Sequence, residues 1–143
     1  MRFVAVEESC QLQAKIAHLG FIQDIITRMG LNSFLLKGWS VTLVAAIFAL
    51  SAEKSDRQFV LLAFFPIAVF WLLDAFFLHQ EKLYRRLYEQ VARGEVGSDQ
   101  FTLSTKGVKP VPGIVAVFFS KTLLSFYGSI IGTVLFAMFK LLL

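Results

Sequence analysis

The stretch 33–52, SFLLKGWSVTLVAAIFALSA, decides the fold. An α-helix rises about 1.5 Å per residue, so roughly twenty apolar residues cross the hydrocarbon core of a bilayer. This block has that length, yet it carries a lysine, Lys37, one turn inside its start. On insertion scales a lysine at mid-bilayer costs about 2.5–3.5 kcal/mol and less near the interface. Each Leu, Ile, Phe or Val recovers about 0.3–0.6 kcal/mol, so the span tolerates the charge.

Two further blocks have the same character, 58–78 and 122–143. The whole chain of 143 residues is 57% hydrophobic with a mean hydropathy of +0.68, well above the apolar share of about 45–50% usual for a soluble domain. The apolar residues lie in long blocks instead of short alternating runs, which predicts an all-α multi-span membrane protein. Only EKSDR, 53–57, separates the first two blocks, so they form a tight antiparallel hairpin. The expected organisation is a cytoplasmic amphipathic helix (1–32), a transmembrane hairpin (33–78), a cytoplasmic helix and loop (79–112), and an interfacial segment with a third span (113–143).

The hairpin supplies Lys37 with a partner. The second block contains Asp74 in FWLLDAFF; if the chain folds about Ser55, Lys37 lies 18 residues before that point and Asp74 19 after it. Matched depth predicts an intramembrane ion pair, with independent snorkelling of Lys37 and a polar or proton-relaying path as alternatives. Trp39 and Trp71 fall beside the pair as interfacial or hairpin-packing anchors. Pro66, in FFPIAVFW, removes a backbone donor and predicts a kink in the second helix.

Orientation follows from basic residues, which resist translocation. Arg2, Lys15, Arg28 and Lys37 lie on the N-terminal side, and seven further Lys and Arg residues lie between the second and third blocks. Lys54, Arg57 and Lys140 fall on the other side. The expectation is an inner-membrane protein of a bacterium with a cytoplasmic N-terminus and an external C-terminus. The first thirty residues lack the plan of a secretory signal and are expected to be retained.

Leu12, Ile16, Leu19, Ile22, Ile26 and Met29 recur every three or four residues, the stripe of an amphipathic helix. Gly30 is expected to stop it, and Asn32 and Ser33 to cap a new one. Its polar face lacks dense basic charge, which favours packing on other cytoplasmic helices over lying on lipid. After the second span, Leu83, Leu87 and Val91, with Tyr84 and Tyr88, repeat every four residues without Gly or Pro, so the helix continues into the cytoplasm. FTLST, 101–105, alternates like a short strand. GIVAVFFSK, 113–121, is either a short interfacial helix or the inner end of a long third helix.

In the third block Gly128 and Gly132 form GxxxG, flanked by Ser125, Ser129 and Thr133. Small residues let helices approach closely, either within one chain or between copies of a homo-oligomer. Cys10 is the only cysteine, which excludes an intramolecular disulfide, and it is expected to be a small buried apolar residue. His18 and His79 lack the spacing of a metal site. No phosphate-cradling loop or nucleophile motif appears, so neither an enzyme nor a cofactor is expected. The run KLYRRLYEQVAR is diluted by Glu81 and Glu89, and topology accounts for its charge without nucleic acid.

Within residues 16–89, the stretches NSFLLKGW and WLLDAFFLHQEKLYRRLY resemble those of a group of small bacterial multi-span inner-membrane proteins. In layout such proteins are similar to the transmembrane effectors of anti-phage defence systems. The resemblance implies an oligomeric effector that opens a permeation path when a soluble cytoplasmic signalling partner triggers it. The competing expectation is an accessory membrane subunit that anchors a soluble partner. The resemblance carries no catalytic or ligand-binding residues and does not reach beyond Gly94.

Overall fold

In the computed structural model, residues 2–54, 61–108 and 111–140 are described, and they are all-helical, with no strand among them. Four helices follow in order: α1 (Arg2–Lys54), α2 (Phe64–Ala92), α3 (Ile114–Phe118) and α4 (Lys121–Lys140). Most of the expected turn between the first two spans, 55–57, and the first residues of the second span, 58–60, lie outside the described residues.

The chain divides into two compact units. The first comprises Met1–Gly30 and Gln80–Val111, and the second Leu31–His79 and Pro112–Leu143. Two of the three division points, 30/31 and 79/80, fall inside helices.

α1 does not stop at Gly30 or restart at Ser33; it is one helix of 53 residues. A glycine inside a helix costs only about 1 kcal/mol relative to alanine, and the strong helix formers on either side outweigh it. Ser33 does not act as a cap because its hydroxyl is engaged with α2, as described below.

In the first unit, Ile22 and Ile26 of α1 pack on Leu87 and Val91 of α2 and on Val108, with Tyr84 and Tyr88 at the margin. The amphipathic stripe is only partly used. Leu12 and Ile16 are 59% and 61% exposed, while His18 is fully buried. The loop after α2 returns onto α1 and selects the face of His18, Ile22 and Ile26, a tertiary choice that helical periodicity does not contain. His18 Nε2 donates to the Thr102 carbonyl at 2.8 Å, and its Nδ1 lies 3.3 Å from Ser98 Oγ. Residues 101–105 are consequently a pinned loop and not a strand; no neighbouring strand exists to complete a ladder, and Phe101 has φ 45°. Cys10 is exposed, since its turn of α1 lies ahead of the part that the loop covers.

α2 runs unbroken to Ala92 and closes with Gly94 at φ 76°. There Gly94 N–H bonds to Val91 O and Glu95 N–H to Gln90 O, the paired bonds that a left-handed glycine makes possible. Lys15 Nζ, reaching from α1, donates to Ala92 O at 2.7 Å.

In the second unit the core gathers Val44, Ala63, Ile67, Ala75, Leu123, Tyr127 and Val134. α1 and α4 each hold a segment long and apolar enough to cross a membrane, Val6–Ser51 and Lys121–Phe139. Only 22% and 17% of the apolar 18-residue window in each is buried, unlike the core helix of a soluble protein. Large apolar side chains point outward, with Phe34 and Phe65 both 72% exposed.

Pro66 lies in the first turn of α2, and the helical residues 61 and 62 are parted from α2 by a turn at Ala63, three residues ahead of the proline, where its ring and missing N–H disrupt helical bonding. α3 is separate from α4, since the chain leaves helical geometry at Phe119 and Ser120.

Candidate functional site

The second unit is built around one carboxylate. Asp74 has no exposed surface, and its two oxygens accept three hydrogen bonds. Ser33 Oγ donates to Oδ1 at 2.5 Å; Lys37 Nζ and Tyr127 OH donate to Oδ2 at 2.5 and 3.2 Å. Lys37 also donates to Ser33 Oγ at 2.9 Å and stands 5.9 Å from the centre of the Phe126 ring, within cation–π range. Three helices thus converge on Asp74: α1 through Ser33 and Lys37, one turn apart, α2 through the acid itself, and α4 through Tyr127.

The chemistry follows from how completely these groups satisfy each other. An ionised carboxylate offers about four acceptor positions and an ammonium three donors, so most of the capacity of both is used within the cluster. A buried charge costs several kcal/mol to desolvate and is tolerated only with such partners. The side chain of Lys37 is 21% exposed, so the ammonium end of the pair is the less enclosed one.

Aromatic rings fix the geometry on one side. Trp71, one turn from Asp74 on α2, lies flat between Phe118 and Tyr127, with ring centres 4.5 and 5.5 Å away and both interplanar angles 7°. Its Nε1 donates to the Phe118 carbonyl at 3.1 Å, tying the end of α3 to α2. Trp39, by contrast, is 63% exposed.

Lys37 and Asp74 were singled out from the sequence; Ser33 and Tyr127 were not assigned to the pair. The same depth count would have found Tyr127. Lys37 lies four residues past the start of its block, Asp74 four before the end of its own, and Tyr127 five past the start of the third. Ser33 was read as a cap, and only its contact with Asp74 shows otherwise. Ser40, fully buried on α1, has no hydrogen-bond partner for its hydroxyl among the described residues.

The small residues of α4 point elsewhere. Gly128 and Gly132 are exposed, and a Cβ added at either would meet no atom within 4 Å. Ser125, Ser129 and Thr133 turn their hydroxyls onto the carbonyls of Thr122, Phe126 and Ser129. The face is small, internally satisfied and uncovered by the described residues of its own chain. Among those residues no three His, Cys, Asp or Glu side chains cluster as a metal site would require. Comparison with protein-family models, curated proteins and solved structures finds no match for this chain.

Proposed function

We propose that the protein is a bacterial inner-membrane effector with three spans, N-terminus cytoplasmic and C-terminus external. Copies assemble through α4, and they form or open a permeation path when a soluble partner or signal engages the first unit. The uncovered face at Gly128 and Gly132 carries the proposal. In lipid, close approach of small residues drives helix association, and here no described residue of the same chain occupies that face. The pairing of Asp74 within the chain supports a path between copies over one through a single copy. The resemblance in layout to anti-phage effectors extends the proposal to bacterial defence against viruses.

Gly128→Leu and Gly132→Leu test it. Each should lower the oligomer mass in mild detergent and abolish the loss of membrane potential on induction, while the chain still inserts. An unchanged oligomer mass would overturn the assembly role of α4.

The closed interior of the second unit favours one other reading, an accessory subunit that anchors a soluble partner. Induction of the wild-type protein distinguishes them, because an anchor leaves the membrane potential intact.

A further inference from the structure

The first unit contains a cavity of 290 Å³ that the proposed function does not use. Its apolar lining comes from Ala14 of α1 and Val96 of the loop after α2, together with the fully buried Val91 of α2. Its polar lining comes from Gln11 and Lys15 on α1 and from Ser98 and Asp99 on the loop. The volume is at or just below the small end of the range for small-molecule sites, about 300–1,000 Å³, which excludes a nucleotide and suits a single amino acid.

The two charged residues do not pair with each other. Lys15 is tied to the end of α2 through the Ala92 carbonyl, and an ammonium bonded once keeps two donors. Ser98 is anchored by the buried His18 ring. Asp99 forms no ion pair among the described residues, with Lys15 or with any other base. Asp99 is exposed, and its Oδ1 lies close over Gly97, where a Cβ would stand 2.7 Å away. An acid and a base that line one small cavity without pairing offer opposite charges to whatever enters, alongside the apolar Ala14 and Val96.

We infer that this cavity binds a free amino acid with an apolar side chain. The ligand's carboxylate faces Lys15 and the amide of Gln11, its ammonium faces Asp99, and its side chain rests on Ala14 and Val96. Charge-assisted hydrogen bonds at both ends supply the selectivity for a zwitterion. The inference goes beyond the proposed function and stands whether or not the second unit forms a path.

Titration calorimetry on the full chain in detergent, with L-leucine as the probe, tests it. L-Leucine should bind saturably. N-acetyl-L-leucine, which lacks the ammonium, and L-leucinamide, which lacks the carboxylate, should each bind at least about tenfold more weakly, the scale of one charged hydrogen bond. Asp99→Asn should weaken L-leucine by a similar factor while leaving the weak binding of N-acetyl-L-leucine unchanged. The two analogues probe both ends of the site without altering the fold. Absence of L-leucine binding, equal binding of all three compounds, or undiminished binding by Asp99→Asn would each overturn the inference.

Discussion

The same two helices, α1 and α2, build both units, and the units have opposite polarity. In the first, Ile22, Leu87 and Val91 are buried while the charged side chains of Arg85 and Glu89 lie half or more exposed. In the second, Asp74 is buried and bonded to Lys37 while Phe34 and Phe65 face outward. A chain surrounded by water hides its apolar groups; a chain surrounded by lipid gains nothing by hiding them and must instead enclose its charges. The switch occurs along continuous helices, so secondary structure does not set the difference. A polar substitution that is harmless on one unit is therefore costly on the other.

The largest expected effect breaks the polar centre of the second unit. Asp74→Leu strands the Lys37 ammonium, and Lys37→Met strands the carboxylate; each should cost about 3–5 kcal/mol, read as lost folded yield in membranes. Combining the two should restore most of the yield, because no buried charge is then left alone. The swap Lys37→Asp with Asp74→Lys should restore it in part. If the double substitution folds well but no longer collapses the membrane potential, the pair serves permeation and not assembly.

A core truncation in the first unit gives the matching experiment for an apolar centre. Leu87→Ala removes a fully buried side chain and should cost about 2–5 kcal/mol. Hydrogen exchange should show protection lost around Ile22, Leu87 and Val108 while the amides flanking Asp74 keep theirs. Equal loss in both units would show that they open together.

The smallest effect sharpens the account of the polar centre. Tyr127→Phe deletes one donor to a carboxylate that keeps two others, and the apolar stack on Trp71 is preserved. A loss of about 1.5–3 kcal/mol is expected from a bond to a charged group, below the cost of removing Lys37, by thermal unfolding in detergent. A change as large as that for Lys37→Met would mean the hydroxyl, not the ammonium, holds the carboxylate.

Much of this polarity was legible in the sequence, because it rests on local periodicity and length. The apolar blocks of α1 and α4, the uninterrupted α2 and the juxtaposition of Lys37 with Asp74 follow from counting residues along helices. What escaped were features decided by a segment distant in sequence. Gly30 looks like a helix stop until the flanking residues are weighed together. Leu12 and Ile16 look buried until the loop at 94–108 chooses the face of His18. FTLST alternates like a strand, yet alternation without a partner strand leaves it a loop. Pro66 signals an interruption, but only the structure places that interruption at Ala63. Ser33 illustrates the difficulty most directly, since a serine near a glycine is read as a local cap and here serves a carboxylate 41 residues away.

The two tryptophans give the second unit an optical signature. Trp71 is clamped between parallel rings with its indole N–H bonded to a carbonyl, whereas Trp39 stands free of such contacts on the outer surface. Emission from Trp71 should be highly polarised and shielded; emission from Trp39 should respond to whatever touches the surface. In vesicles of brominated phospholipid, the Trp71→Phe variant should lose most of its fluorescence and the Trp39→Phe variant should keep it. Anything that pulls α3 away from α2 would then brighten or depolarise a single indole, so movement at the polar centre can be timed without attaching a dye.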